Sequence, residues 1–262
     1  MKWFFAFNQE SPNFPEYADM IKVAVHTARR HTRLEPCFLY DGRPDELTAW
    51  LAGRGVTVIH RRWRLLDEFN RVASESGHPQ LLGYAGGIFL RIDIPRICAE
   101  QGWTDEQVLY TDCDVMFTGD PEPLFPDLRG AFFGAGPEFD RADFEAMNSG
   151  VMLMRLPALR GMEKSFDDFI RANLAACAQY TDQFAYRTFF RHGWKPLPPE
   201  LNWKPYWGES PAARIVHFHA AKPFVRAALA AGKGTQMQRE LSYGAFAHYC
   251  SLWDEELAAA TK

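Results

Sequence analysis

The chain has 262 residues, of which 47% are hydrophobic and 15% aromatic, so it is long enough to bury a large core. Its formal net charge of −4 at pH 7 argues against nucleic acid as the main partner, because phosphate binding needs a basic surface. No run of the sequence approaches the roughly 18 apolar residues of a membrane-spanning helix, so we predict no transmembrane segment.

Strands and helices are predicted to alternate along the first part of the chain. Short apolar runs predict strands at residues 3–7, 36–40 and 56–59. Pro15 opens a helix between the first two strands, and Pro44 occupies the first position of a second helix that ends near Gly53. This β-α-β-α-β order indicates a parallel sheet with crossover helices.

The rest of the chain is predicted to complete the same sheet. A helix is expected at 89–100, and a strand at 108–110 follows it. Further strands are predicted at 131–134, 151–154 and 214–218, and further helices near 163–176, 181–191 and 235–259. No internal repeat, low-complexity segment or linker interrupts these elements. We therefore expect a single domain spanning residues 1–262.

The cysteines and the N-terminal residues indicate which cellular compartment the protein occupies. The five cysteines are widely spaced and contain no CxxC pair, which favours free thiols in a reducing compartment over a disulfide framework or a zinc site. Only five apolar residues stand in a row near the start of the chain, too few for the core of a signal peptide. We expect a cytoplasmic protein.

Two carboxylates follow the apolar strand at 108–110. In extended backbone, residues two apart point the same way, so Asp112 and Asp114 can hold one hard divalent cation between them. They would lie at the carboxyl end of a parallel strand, where open α/β sheets bind ligands. This pattern predicts a metal site at the edge of the sheet.

An Asp-x-Asp segment is also typical of calcium loops and of one class of phosphatase. A calcium loop needs further oxygen ligands and a glycine, but Met116 and Phe117 stand there instead, which excludes it. Phosphatases of the haloacid-dehalogenase type carry a similar pair followed by threonine or valine, and Val115 fits that pattern. Their pair normally lies on the first strand, whereas this one lies much further along the chain. The phosphatase therefore remains an alternative.

A second cluster near the end of the chain contains two histidines and a lysine. His217 and His219 are on one side of a strand-like segment, so either imidazole could complete a carboxylate-rich metal site. Lys222 follows within reach of the same ligand, and Pro223 stops the strand. A metal ion and a lysine together neutralise a diphosphate, which stabilises a departing nucleoside diphosphate.

Three further segments carry polar residues that could each have a simple structural role. Asn148 belongs to a polar triplet that opens a buried strand, and a turn would account for it. Thr181 could cap a helix whose first turn contains Asp182 and Gln183. Arg91 and Asp93 could form an ordinary surface pair on a helix; individually, none of these segments identifies a site.

Taken in order, these segments resemble glycosyltransferase family 8, the retaining enzymes of the GT-A fold. The matching pieces span residues 3–224 and are Asn8 after the first strand, Arg91 on its helix, Asp112-Cys113-Asp114, Asn148-Ser149-Gly150-Val151, Asp182-Gln183 and His217 to Pro223. The resemblance implies an α/β, Rossmann-like nucleotide-diphospho-sugar transferase fold with a mixed central sheet. It also implies a nucleotide-binding half at 1–114 and a donor-sugar and acceptor half at 115–262.

The resemblance also implies an activity and residue roles. The expected reaction is metal-dependent, retaining transfer of a hexose from a UDP-sugar to a hydroxyl of a carbohydrate or glycoconjugate acceptor. Mn²⁺ or Mg²⁺ would bind Asp112, Asp114 and His217. The donor would contact Asn8, Arg91, Asp112, Asn148 and Lys222. Asp182 would hold sugar hydroxyls, and Gln183 would lie nearest the anomeric carbon, opposite the leaving group.

The sequence departs from the family pattern near its last motif. The common family ending is His-x-x-Gly-x-x-Lys-Pro-Trp, whereas here the gap between His217 and Lys222 is one residue shorter. Ala220 stands where glycine is expected, and Phe224 replaces tryptophan. His219 is therefore a second candidate ligand. A non-catalytic relative that only binds nucleotide sugars is a further alternative.

Overall fold

A computed structural model describes residues 1–262, except for the side chain of Gln80. Nine strands are described: β1 (Lys2–Asn8), β2 (Glu35–Asp41), β3 (Thr57–His60), β4 (Gln107–Thr111), β5 (Val115–Phe117), β6 (Phe133–Pro137), β7 (Met147–Arg155), β8 (Trp194–Pro196) and β9 (Ile215–His217). Seven of them form one sheet in the order β3-β2-β1-β4-β7-β6-β8, while β5 and β9 pair separately.

The central sheet is mixed, as expected. Strands β1 to β4 are parallel to one another, and β8 is parallel to β6. Strand β7 is antiparallel to both of its neighbours, β4 and β6. The β-α-β-α-β prediction for the first part of the chain is therefore confirmed, whereas the sequence did not indicate which strand of the mixed sheet runs antiparallel.

Ten α-helices connect or cover these strands in the described structure. They are α1 (Phe14–His31), α2 (Glu46–Gly53), α3 (Leu66–Glu75), α4 (Ala85–Ile88), α5 (Ile94–Glu100), α6 (Leu156–Ala172), α7 (Leu174–Phe189), α8 (Arg226–Ala230), α9 (Gln236–Glu240) and α10 (Phe246–Ala260). Six 3₁₀ turns lie at Pro79–Leu81, Phe89–Asp93, Glu122–Leu124, Pro199–Asn202, Pro205–Trp207 and Pro223–Val225. None of the helices described is both long enough and apolar enough to cross a membrane.

Strand β1 is buried on both faces because helices pack on each side of the sheet. Trp3, Phe5 and Phe7 pack with residues of α1 and α2 on one side. Phe4 and Ala6 face the other side, where α3, α5, α6 and α7 contribute to the core. A strand covered on both faces needs apolar residues at every position, and this explains the uninterrupted apolar run of residues 3–7.

Several predicted helix boundaries were wrong, for local reasons. Helix α2 begins at Glu46, and not at Pro44, because Asp45 is its N-cap and forms a reciprocal capping box with Thr48. The helix predicted at 235–259 is divided into α9 and α10. Gly244, with φ of 64°, turns the chain between these two helices.

Two other predicted helices also differ from those observed. The helix predicted from Phe89 starts as a 3₁₀ turn and becomes α-helical only at Ile94. The helix predicted near 163–176 begins earlier, at Leu156, directly after β7, with a proline in its first turn. Proline is favoured in that turn because the amide it lacks would have no helical partner there.

The sheet topology brings distant segments to one edge. The chain bends after β4, and β5 then runs antiparallel to β9, so that Val115 pairs with His217. Antiparallel pairing of β4 with β7 brings the amide of Asp112 within 2.7 Å of the carbonyl oxygen of Gly150. The carboxyl ends of β1 and β4, the start of β7 and the end of β9 therefore meet.

Candidate functional site

A cavity of about 340 Å³ opens at this edge of the sheet. Its lining includes all nine residues predicted for the site, namely Asn8, Arg91, Asp112, Asp114, Asn148, Asp182, Gln183, His217 and Lys222. These residues come from six separate segments of the chain. The motifs thus selected residues that the fold brings together.

Asp112, Asp114 and His217 form a group that could hold a metal ion. One ligand atom from each lies within 4.8 Å of the others. His217 Nε2 is 3.3 Å from Asp114 Oδ1 and 4.0 Å from Asp112 Oδ2. The bend after β4, and not the extended backbone assumed from the spacing, brings the two carboxylates together, since the strand ends at Thr111.

The orientation of the His217 ring fits a metal ligand. Asn202 Nδ2 donates to Asn148 Oδ1 at 3.0 Å, so Asn202 Oδ1 is left to accept from His217 Nδ1 at 2.9 Å. This tautomer leaves the lone pair of Nε2 facing Asp114 Oδ1, a buried oxygen without a hydrogen-bond donor among the described residues. A divalent cation between these atoms would satisfy both.

His219 lies outside this group. Its Nε2 is 3.1 Å from Glu138 Oε1, and its Nδ1 is 3.0 Å from the hydroxyl of Tyr206. Strand β9 ends at His217, one residue earlier than predicted, and the chain then turns at Ala220. Ala220 has φ of 63°, in the left-handed region that favours glycine, which is the residue expected at this place.

Lys222 adds a positive charge next to the acidic pair. Its Nζ is 2.5 Å from Asp114 Oδ2 and donates to the carbonyl oxygen of Phe218 at 2.8 Å. Burial acts to raise the pKa of Asp114, but the ammonium group of Lys222 counteracts burial, and that pKa lies well below its usual range. Asp114 is therefore ionised at neutral pH.

Arg91 forms ion pairs both with the candidate metal ligand Asp112 and with Asp182 of helix α7. Its Nη2 is 3.0 Å from Asp112 Oδ1, its Nε is 2.8 Å from Asp182 Oδ2, and its Nη1 donates to the carbonyl oxygen of Ser149. The guanidinium also lies 4.4 Å from the centre of the Tyr110 ring. Burial raises the pKa of Asp182 to about 6, although Arg91 acts to lower it.

The surface-pair interpretation of Arg91 and Asp93 is wrong. Both side chains are buried, and they have different partners. Asp93 contacts Arg61 at 3.4 Å and Arg64 at 3.3 Å. The 3₁₀ conformation of Phe89–Asp93 accompanies this arrangement, in which Arg91 faces the cavity and Asp93 faces the basic segment after β3.

Helix α7 is interrupted at Thr181, which has φ of 64° and ψ of −170°. The amide of Gln183 donates to Thr181 Oγ1 at 3.4 Å, so Thr181 occupies the capping position that the sequence predicted. Gln183 Oε1 accepts from the amide of Ser149 at 2.8 Å, and its Nε2 donates to Glu138 Oε2. The Gln183 amide is thus held at both ends.

Asn8 lies at the end of β1 as predicted. Its Nδ2 donates to the carbonyl oxygen of Gly83 at 2.9 Å. A Cβ atom on Gly87 would come within 2.9 Å of Asn8 Oδ1, so α4 approaches β1 closely at this point. The close approach narrows this end of the cavity.

The motifs missed three polar residues of the site. Glu138 follows β6 directly, is 7% exposed and lines the cavity. Asn202 orients His217, and Lys204 is completely buried nearby. An acid immediately after a strand was a usable signal for Glu138. Nothing local distinguishes Asn202 or Lys204, because their roles depend on partners distant in sequence.

Comparisons with known proteins concern the fold. No protein-family model matches the sequence, and no curated protein matches it significantly. The glycosyltransferase GlyE of Streptococcus pneumoniae TIGR4 superposes with a TM-score of 0.64 at 18% identity, covering 98% of this chain and 63% of that one. This chain therefore spans less than two thirds of GlyE.

The galactosyltransferase LgtC is similar over its whole length. Its complex with donor and acceptor sugar analogs superposes with a TM-score of 0.66 at 19% identity, covering 100% of this chain and 97% of LgtC. An active-site variant of LgtC gives a TM-score of 0.69 at 17% identity, covering 99% and 96%. At such low identity the likeness concerns architecture, and the protein therefore has the α/β fold of GT-A glycosyltransferases, with a mixed central sheet.

Proposed function

We propose that this protein is a retaining glycosyltransferase of the family 8 type, which transfers a hexose from a UDP-sugar to a hydroxyl of a carbohydrate or glycoconjugate. The observation that carries the proposal is the meeting of a potential metal site, Lys222 and the Arg91–Asp182 pair in one cavity of a GT-A fold. Residues 1–262 would act as one domain, with 1–114 holding the nucleotide.

The leaving side of the donor needs positive charge. A divalent cation, Mn²⁺ or Mg²⁺, held by Asp112, Asp114 and His217 would supply Lewis acidity at the diphosphate. Lys222 is within reach of the same place and can exchange its contact with Asp114 for the diphosphate. Because charge is neutralised in this way, the leaving diphosphate requires no general acid.

The donor is bound by groups of suitable chemistry along the cavity. Asn8 lines the cavity at the carboxyl end of β1 and would contact the nucleoside. Arg91 and Asn148 would hold the hexose, and Asp182 would accept hydrogen bonds from its hydroxyls. Asp182 is suited to this role because its ion pair with Arg91 fixes its position.

The chemistry of the Gln183 side chain bears on whether the reaction retains the configuration at the anomeric carbon of the sugar. An amide is a poor nucleophile, and both ends of this one already make hydrogen bonds. We therefore favour a mechanism in which the acceptor hydroxyl attacks on the same face as the departing diphosphate, so that configuration is retained. No carboxylate of the chain would then bond covalently to the sugar.

The two alternatives predict different behaviour. A haloacid-dehalogenase-like phosphatase would need Asp112 as its nucleophile, yet Asp112 Oδ1 accepts from the Tyr110 hydroxyl at 2.9 Å and pairs with Arg91. A non-catalytic relative that binds nucleotide sugars would have no need of the metal and lysine set. Hydrolysis of simple phosphate esters would favour the first, and UDP binding without turnover would favour the second.

Calorimetric titration tests the proposal directly. We expect UDP to bind wild type with manganese and to bind much more weakly in EDTA. Asp114→Asn should abolish the metal-dependent part of UDP binding, because it removes a charged ligand. Asp168→Asn is the matched control, since Asp168 is an exposed acid paired with Lys164. Equal UDP binding by wild type with and without EDTA would refute the metal site.

Turnover is measured separately. A thermal-shift panel of nucleotide sugars with manganese identifies the donor, and release of UDP from that donor measures hydrolysis. Metal-dependent hydrolysis of a UDP-sugar supports the transferase. Hydrolysis of a phosphate ester in its place would overturn the proposal.

A further inference from the structure

A second cavity, which none of the nine predicted site residues lines, lies between the end of helix α7 and strand β8. This cavity, the α7 groove, has a volume of about 720 Å³. Its lining includes Arg187 and Thr188 of α7, Arg191 just after that helix, and Trp194 and Pro196 of β8. The chemistry proposed above gives the α7 groove no role.

The α7 groove adjoins the cavity that contains the potential metal site. Gln183 lines that cavity and Arg187 lines the groove, and the two residues are one turn apart on the same face of α7, about 6 Å along the helix axis. In β7, Met147 lines the groove and the next residue, Asn148, lines the cavity. A ligand that extends from Gln183 past Arg187 would therefore occupy both.

Two arginines give the α7 groove a positive charge. Arg187 and Arg191 are exposed, and neither guanidinium group has a hydrogen-bond or ion-pair partner among the described residues. Glu145 is the one acid among the described residues that line the groove, and it forms no ion pair with either arginine. By contrast, the exposed Arg62 and Arg171 each pair with an acid. The groove is thus locally cationic in a chain whose net charge is −4.

Helix stability alone does not account for both arginines. Arg187 lies in the last turn of α7, where a cation interacts favourably with the helix dipole. Arg191 lies beyond the end of the helix at Phe189 and still lines the groove. The two guanidinium groups share the groove, and each presents parallel N–H donors that match a carboxylate or a phosphate group.

Trp194 adds an aromatic wall to the groove. It belongs to the edge strand β8, is partly buried and packs against the core. An indole ring offers a flat apolar surface with a polar N–H at one end, which suits contact with the face of a sugar ring. The lining therefore combines a surface for a sugar with donors for an oxyanion.

We propose that the α7 groove binds an acidic sugar of the acceptor, with Arg187 and Arg191 holding its carboxylate or phosphate group and Trp194 contacting its ring. The acceptor would then be an anionic glycan that extends along α7 from the reacting hydroxyl. The assignment of the ligand as an acceptor rests on the proposed function, whereas the binding site for an acidic sugar does not.

The indole N–H signal of Trp194 gives an NMR readout that does not need activity. The signal is assigned by its disappearance in Trp194→Phe. We expect it to shift on titration with glucuronic acid or with glucose 6-phosphate, with a Kd on the order of 1 mM. Glucose should leave it unchanged, because glucose has no oxyanion. No shift with either acidic sugar, or an equal shift with glucose, would overturn the proposal.

Inorganic phosphate separates recognition of the sugar from recognition of the charge. It should bind roughly tenfold more weakly than glucose 6-phosphate, because it lacks the ring that contacts Trp194. Equal affinity would show that the groove binds free anions only and would overturn the assignment to an acidic sugar.

Substitution of both arginines tests their role. Arg187→Gln combined with Arg191→Gln should weaken binding of glucuronic acid by roughly tenfold or more. Arg33→Gln is the matched control, since Arg33 is an exposed arginine without an ion-pair partner that precedes β2, away from the carboxyl ends of the strands. Equal losses in the control and in the double variant would show a general effect of charge and would overturn the proposal.

The donor site should not depend on these arginines. The Kd of UDP with manganese should stay within about twofold of wild type in the double variant, because the groove lies beyond the residues proposed to hold the donor. A parallel loss of UDP binding would assign the arginines to the donor and would overturn the acceptor assignment.

Acceptor preference tests the functional part once the donor is identified. Matched disaccharides, one of which contains glucuronic acid in place of glucose, are compared as acceptors. Wild type should have the lower KM for the acidic member, and the double variant should lose this preference with kcat near wild type. Equal KM values for wild type would overturn the acceptor assignment. Failure of wild type to bind UDP with manganese would instead overturn the proposed function and would leave the NMR result intact.

Discussion

At the residue scale, the two neighbouring histidines have different surroundings. His217 belongs to the group that could hold a metal ion, whereas His219 contacts Glu138 and Tyr206. Although their rings are only 5.6 Å apart, only His217 lies with the two carboxylates. The difference in partners leads to a direct prediction.

His217→Ala should weaken manganese-dependent UDP binding by roughly tenfold or more, because even changes to the groups that orient a metal ligand cost about that much affinity. His219→Ala should leave that binding within about twofold of wild type, although turnover can fall through Glu138. Calorimetric titration of both variants gives the ranking. The reverse order would assign the ligand to His219.

Gln183 gives a second prediction at this scale. Gln183→Ala should lower turnover while UDP affinity stays near wild type, because the proposed contact of this side chain is with the sugar and not the nucleotide. An interaction made mainly in the transition state affects the rate more than binding. Proton NMR of the product should show the anomeric coupling of the donor. An inverted product would contradict both the retaining assignment and the role given to Gln183.

At the element scale, two arginines of the basic segment after β3 form ion pairs with acidic residues of the same chain. Arg61 and Arg64 contact the buried Asp93, Arg61 also pairs with Glu100, and Arg64 also pairs with Asp167. These pairs join the loop after β3 to the 3₁₀ turn before α5 and to α6. The two arginines are therefore engaged in contacts that hold the fold together.

The buried Asp93 should make stability depend on pH. Burial raises the pKa of Asp93 to about 6, although Arg61 acts to lower it. The folded state therefore holds this proton more tightly than the unfolded chain. Its contribution is fully present below about pH 4 and is lost as pH rises through about 6.

Between about pH 4.5 and 7, the free energy of unfolding of wild type should fall by about 2 kcal/mol relative to that of Asp93→Asn. Asparagine has nearly the same shape as aspartate and does not titrate. The difference in the free energy of unfolding between wild type and Asp93→Asn therefore removes the contribution of other acids. Urea unfolding at several pH values measures it. A difference that does not vary with pH would show that Asp93 titrates normally.

At the scale of the whole molecule, a hydrophobic core packs against each face of the central sheet. Residues from the first and second parts of the chain contribute to each of the two larger cores. Strand β4 of the first part pairs with β7 of the second. A division near residue 114 would therefore cut through shared cores.

We accordingly predict a single cooperative unfolding transition for residues 1–262, with equal calorimetric and van 't Hoff enthalpies. Manganese with UDP at about 100 times its Kd should stabilise the folded state by about 2.7 kcal/mol, since only that state contains the assembled site. Differential scanning calorimetry measures both quantities. Two resolved transitions would show that the halves unfold independently.

Local patterns were sufficient for much of the fold and for several polar residues of the cavity. The apolar run of β1 and the acidic pair after β4 each depend on neighbours in sequence, and so does the cap at Thr181. Local propensity, strand alternation and capping act over a few residues, so they can be read from the sequence alone. The order of the motifs, through the family resemblance, then predicted nine of the residues that line the cavity.

The remaining features were decided by tertiary structure. The different surroundings of His217 and His219 follow from the pairing of β5 with β9 and from the hydrogen bond to Asn202. In the sequence Arg91 and Asp93 fit a surface pair, but in the structure both side chains are buried and have different partners. Such contacts form between segments far apart in sequence, and their energies depend on burial and geometry that no local pattern contains. The ordered motifs therefore predicted nine residues of the cavity, and only the folded chain determined how each one is held and which other residues join them.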